Sequence, residues 1–141
     1  MTQSPLSQPL KLPCGAVLSN RIAKAAMTEG LADDQLHATH RHETLYRRWS
    51  DGGAGLLITG NVMIDHSVLE RPGNVAIDPA PAEGEPDAMA QLRAWAEAGT
   101  RNGNHLWMQI SHAGRQSPRY VTSRPMGPSV VQLSLMGNYA R

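Results

Sequence analysis

A chain of 141 residues fits one domain by length, and a formal charge of +1 with 18% charged and 40% hydrophobic residues is that of an ordinary globular protein. Nothing in it is basic enough to track phosphates, which excludes nucleic acid or an acidic surface as the main partner. Phe is absent, and three Trp and three Tyr are the only large rings, so Leu, Val, Ile, Met and Ala must fill most of the interior.

Residues 1–9 are polar and proline-bearing and are expected to form a flexible N-terminal arm. They lack the basic and apolar regions of a signal peptide, and no apolar run in the chain reaches the ~20 residues of a membrane helix. The expected location is cytoplasmic, with no membrane partner. Leu10-Lys11-Leu12 and Ala16-Val17-Leu18 flank Pro13-Cys14-Gly15, which predicts a small β-hairpin. Cys14 is the single cysteine, so it has no disulfide partner within the chain, and its setting is that of a turn residue rather than a nucleophile.

Arg21 to Met27 has the length of a buried strand, although Ala is a poor strand former. Thr28 to Leu36, carrying Glu, Gly and Asp-Asp, reads as a loop. Thr39 can cap a helix with Leu45, Tyr46 and Trp49 near one face and Arg41, Glu43, Arg47 and Arg48 toward water. Asp51 to Gly55 ends that helix, and Leu56 to Ile64, the clearest apolar run, predicts a central strand covered on both faces. Asp65 to Gly84, with Pro72, Pro79 and Pro81, is too long for a plain connector and reads as a functional or capping loop. Pro86 suits the first turn of a second helix in which Met89, Leu92, Trp95, Ala96 and Gly99 recur at helical spacing. His105 to Ser111 follows as a third strand; the remainder is loop-like, with a short candidate strand at Val130 to Leu133.

A hairpin followed by β-α-β-α-β predicts an α/β fold with parallel strands joined by right-handed helical crossovers. Strand order in the sequence leaves a closed barrel and a doubly wound open sheet both available. In a barrel the active site lies at the C-terminal ends of the strands, which directs attention to Ala25 to Thr28, Thr59 to Asn61 and Gln109 to His112. Small and polar residues there serve equally well simply to begin loops. Two rival motifs fail on geometry. Gly52-Gly53-Ala54-Gly55 closes a helix and opens a strand, the reverse of a phosphate-cradling loop. His37, His40 and His42 do not share one helix face, so they read as solvated loop and helix histidines rather than a metal site.

Four segments at these positions carry a family resemblance: Asn20-Arg21-Ile22-Ala23-Lys24-Ala25-Ala26-Met27-Thr28, Gly52-Gly53-Ala54-Gly55-Leu56-Leu57-Ile58-Thr59-Gly60, Gln109-Ile110-Ser111-His112-Ala113-Gly114-Arg115-Gln116 and Ser123-Arg124-Pro125-Met126-Gly127-Pro128-Ser129. They resemble, in order and spacing, successive signatures of the old yellow enzyme (NADH:flavin oxidoreductase / NADH oxidase) family over about residues 8 to 137. The Gln-x-x-His-x-Gly-Arg element is the most specific of them. The resemblance implies a (β/α)8 TIM barrel, a fold of ~250 residues. Residues 10–141 would then be its N-terminal part: the hairpin and about three β/α units.

The resemblance further implies an FMN-dependent ene-reductase. Non-covalent FMN would sit at the C-terminal face and pass hydride from NAD(P)H, through flavin N5, to the β-carbon of an electron-poor alkene. It places the Thr28 side chain at the flavin O4/N5 edge, where a hydroxyl can donate to charge on the reduced ring. The backbone of Ala26 and Met27 lines the same edge, although the family often has proline where Ala26 stands. Gly60 matches a small residue approaching the pyrimidine ring, and Gln109 an amide serving its N3 and O2 side with both hydrogen-bonding senses. His112 and Arg115 look structural. The family's substrate-anchoring His/Asn or His/His pair, tyrosine donor and phosphate loops are expected beyond Arg141. No catalytic residue is therefore assigned, and the chain alone is expected to be inactive. The alternative is a truncated barrel acting as an interaction or regulatory module; a homo-oligomer is compatible with either.

Overall fold

The computed structural model describes residues 4–78, 87–131, 133–134 and 136–137. The expected hairpin is present: β1 (Leu10–Lys11) pairs antiparallel with β2 (Val17–Leu18), Leu10 opposite Leu18. Three further strands, β3 (Ala23–Lys24), β4 (Leu56–Met63) and β6 (His105–Ser111), lie parallel in the order β3-β4-β6, joined through α1 (His40–Asp51) and α2 (Ala88–Thr100). Such a run of sequential parallel neighbours begins both barrels and open sheets. Among the described residues, no helix is long and apolar enough to cross a membrane.

Local chemistry sets the element ends. The Thr39 backbone N–H donates to His42 Nδ1 at 3.1 Å across the first turn of α1, and Gly53 leaves the helix at φ +81°, where glycine carries no side-chain penalty. Asp87 caps α2 by accepting from the Met89 N–H at 3.0 Å; Pro86 lies outside the described residues. Asn20 clamps the start of the sheet. Its Oδ1 accepts from the N–H groups of Ile22 (3.0 Å) and Gly55 (2.9 Å), and its Nδ2 donates to the Gly53 carbonyl (2.7 Å). A Cβ at position 55 would stand 2.7 Å from the Asn20 carbonyl oxygen, so Gly55 is required by this crossing. Two of the four family-like segments thus meet in a structural clamp.

The core lies between β4 and the helices, where Leu57 and Val62 pack with Tyr46 of α1 and Trp95 of α2. The Tyr46 and Trp95 rings meet edge-on with centroids 5.1 Å apart, a favourable aromatic geometry. Gly99 lets α2 settle on the sheet, since a Cβ there would lie 2.7 Å from Leu106 Cδ2.

Several expectations need correction. Strand pairing at β3 covers only Ala23 and Lys24, less than the run from Arg21 to Met27. The stretch from Asp65 is not wholly irregular: Val75–Ala76 forms β5, pairing parallel with Val62 and Met63 on the edge of β4 beyond the end of β3. A two-residue strand has no periodicity for a sequence reading to find. On α2 the buried residues are Trp95, Ala98 and Gly99, while Met89 and Ala96 are exposed. His37 and His42 are buried, not solvated; of the three histidines only His40 is exposed. Residues 130, 131 and 133 form no strand, and residue 132 lies outside the described residues.

Candidate functional site

The strand ends meet through an irregularity in β4. Ile58 pairs with Trp107 and Asn61 with Gln109, so two residues of β4, Thr59 and Gly60, stand against the single Met108 of β6. This is a β-bulge. The Thr59 hydroxyl holds it, accepting from the Gln109 N–H at 2.9 Å and donating to the Gly60 carbonyl at 2.8 Å. The extra residue brings the Asn61 side chain beside that of Gln109, whose Nε2 donates to Asn61 Oδ1 at 2.6 Å.

Glu70, in the loop between β4 and β5, completes a row across three strand ends. Its Oε2 accepts from the Thr28 hydroxyl at 3.0 Å and from Asn61 Nδ2 at 3.4 Å. Its Oε1 accepts from Arg71 Nε at 3.1 Å and Nη2 at 2.9 Å. Burial pushes the Glu70 carboxyl up, but the hydrogen bonds from Arg71, Thr28 and Asn61 together outweigh it and hold its pKa below the ordinary carboxylate value.

Beside this row the chain crosses itself tightly at Gly60. A Cβ there would collide with Glu29 Oε2 and the Met27 carbonyl and lie 2.8 Å from Thr28 Cα. The Gly60 N–H donates to Glu29 Oε1 and to the Tyr46 hydroxyl oxygen, each at 3.2 Å, and the Tyr46 O–H donates to Glu29 Oε1. Burial, then the Glu29 carboxylate, holds the Tyr46 hydroxyl far above the usual tyrosine range. Below it, Lys24 Nζ donates to the carbonyls of Ala25 (2.7 Å) and Ile58 (2.9 Å) and sits 4.3 Å from the Trp49 ring centroid. Burial lowers its pKa, with Glu29 opposing. Chain packing by itself therefore requires glycine at position 60.

Of the residues singled out from sequence, Thr28 and Gln109 are joined through Glu70 and Asn61, and Gly60 touches Met27 and Thr28. Ala26 is half-buried on the same chain exit, and Met27 is exposed. His112 turns back on its own loop, its Nδ1 accepting from the Gly114 N–H at 3.0 Å, and its Nε2 lies 3.6 Å from Asp65. Sequence reasoning gave Glu70 no role; its only signal was one acid in a proline- and glycine-bearing loop.

These groups fit the polar edge of a flavin. The ring's pyrimidine side needs donors and acceptors together, and Gln109 is exposed, with its Oε1 unengaged among the described residues. Thr28 differs from expectation in one respect, because its hydroxyl proton is directed at Glu70.

Comparison with known proteins finds relatives across nearly the whole chain. Residues 5–137 match the NADH:flavin oxidoreductase / NADH oxidase family. An NADH-dependent flavin oxidoreductase of Aspergillus parasiticus is 38% identical over 96% of this chain and 32% of its own length. One from Neonectria sp. is 32% identical over 91% of this chain and 17% of its own length. Among solved structures, the old yellow enzyme homologue from Zymomonas mobilis has a TM-score of 0.75 at 22% identity, over 98% of this chain and 39% of its own. A 2-naphthoyl-CoA reductase has a TM-score of 0.81 at 19% identity, over 96% and 22%. The chain thus spans a third or less of these two curated relatives, and its solved neighbours are TIM barrels, which settles the architecture. A match running from the N-terminal turn past the last of the strand-end residues means that the chain belongs to the NADH:flavin oxidoreductase / NADH oxidase family, whose cofactor is FMN, and forms the opening β/α units of its TIM barrel.

Proposed function

We propose that the protein is an FMN-dependent oxidoreductase of the ene-reductase type, taking hydride from NAD(P)H and delivering it to an activated alkene in the cytoplasm. The observation that carries this reading is the hydrogen-bonded row Thr28, Glu70, Asn61 and Gln109 at the C-terminal ends of β3, β4 and β6, where barrel enzymes place their chemistry. Bound FMN would supply two-electron chemistry at its N5. The chain's own residues supply position and polarity: Gln109 orients the pyrimidine edge, Thr28 stands at the opposite end of the row, and the backbone of Ala26 and Met27 lies beside it. Gly60 serves by letting residues 27–29 cross β4 closely enough to bring Thr28 to the row. The two relatives described above are named as NADH-dependent, and morphinone reductase, a structural neighbour with a TM-score of 0.70, was solved with tetrahydroNAD.

The test is the visible absorption spectrum of protein purified from its uninterrupted reading frame with no flavin added. A yellow protein that releases FMN on denaturation is expected; a colourless one that takes up no FMN overturns the proposal. The 141 residues alone supply one side of a cradle, and we propose that alone they neither hold FMN tightly nor turn over. Sub-micromolar FMN binding to the isolated segment overturns that part.

A further inference from the structure

The acid that links the strand ends has no place in the reading given so far beyond joining its neighbours. Its chemistry does more, because a carboxylate can only accept hydrogen bonds. Glu70 Oε2 takes the Thr28 proton and one Asn61 N–H, so Asn61 must turn its Nδ2 toward Glu70 and its Oδ1 toward Gln109. Asn61 Oδ1 also only accepts, so Gln109 must present Nε2 to it at 2.6 Å and turn Oε1 the other way. One anion thereby fixes the sense of two amides and a hydroxyl. The Arg71 guanidinium holds the other carboxylate oxygen at 2.9 and 3.1 Å and so orients the acid itself.

We infer that Glu70 is a positioning residue that sets the hydrogen-bonding polarity of the strand-end site: Thr28 and the Gln109 carbonyl offer lone pairs, not protons, to a bound ring. Its negative charge also weakens binding of the reduced, electron-rich ring relative to the oxidised one. The inference rests on the flavin reading proposed above.

The test uses the protein from its uninterrupted reading frame, titrated with FMN and examined by spectroelectrochemistry. Glu70→Gln removes the charge, keeps the shape and frees the Thr28 proton. The affinity for reduced over oxidised FMN is expected to rise about tenfold, which for a two-electron couple is an upward midpoint shift of about 30 mV. In a Thr28→Val background the same substitution is expected to shift the midpoint by less than half as much, because the proton that Glu70 captures is gone. Asn61→Leu cuts the row at its middle while leaving Glu70 in place, and keeps the idea testable should Glu70→Gln not fold. It is expected to weaken FMN binding at least fivefold while moving the midpoint less than Glu70→Gln does. A wild-type protein that binds FMN, with an unchanged midpoint in Glu70→Gln or unchanged FMN affinity in Asn61→Leu, overturns this inference alone. An equal shift in both Thr28 backgrounds overturns the positioning role. A folded wild-type protein that takes up no FMN overturns the flavin reading and this inference with it.

Discussion

Two neighbouring strands of one sheet have opposite fates. β4 is buried at six of its eight positions, whereas β6, similarly apolar and paired with it on both sides of the bulge, exposes Trp107, Met108, Gln109 and Ile110. The difference lies in neighbours rather than composition. β4 has β3 and β5 on one edge, β6 on the other, and α1 and α2 over Leu57 and Val62. β6 has β4 on one edge and, of its side chains, only Leu106 packs into the main core. The hydrophobic effect rewards area removed from water, so identical side chains contribute on one strand and idle on the other.

Substitution on the two sides should expose that contrast. Trp95→Ala, on the closed side, is expected to destabilise the fold by about 3–5 kcal/mol through the cavity it leaves, read from the denaturant midpoint and slope. A loss under about 1 kcal/mol, the ordinary scale of point mutants, would break the comparison. Gly60→Ala drives a Cβ against the Met27 carbonyl and Glu29, and is expected to cost about 1–3 kcal/mol by overpacking.

A pH series sharpens the same contrast. Burial first, then the Arg41 charge, lowers the pKa of His42 from 6.5 to about 4, so the imidazole is neutral in the fold. Between those values the unfolded chain binds more protons than the native one, so stability rises with pH across that window and is lost as pH falls. Denaturant midpoints at pH 7 and pH 5 should differ in the wild type and differ less in His42→Leu; equal pH dependence in both would remove His42 from the account. Ile110→Ala, on the open strand, closes the series. It is 65% exposed, and its expected effect in the same denaturant assay is within about 0.5 kcal/mol. A loss comparable to that of Trp95→Ala would show that β6 is covered after all.

The elements that sequence made legible are those with internal periodicity. The hairpin, both helices and the strands at β4 and β6 follow from spacing, caps and apolar runs. β5 has two residues and no period, and it exists because β4 offers an unpaired edge beyond Lys24. The burial of His42 was hidden because its polarity is answered by a Thr39 N–H, and its ring packs tilted against that of Trp95, 4.7 Å away between centroids. Thr28, Gly60 and Gln109 were singled out through resemblance to a family. Glu70 was not, because its bond to Thr28 spans 42 residues of chain and leaves no local mark.

The bulge at Thr59 and Gly60 has a consequence for how β4 tolerates change. Leu57 and Val62 share the helix-side core although five positions separate them, an odd interval that a regular strand would send to opposite faces. The strand is in effect two short texts written in different phase and spliced at one surplus residue. Straighten the bulge with every residue kept and everything after it is read inside out: Val62 turns away from the helix-side core and Asn61 into it. Delete the surplus residue instead and the interval from Leu57 becomes an even four, so Val62 keeps its face and the phase of the strand survives.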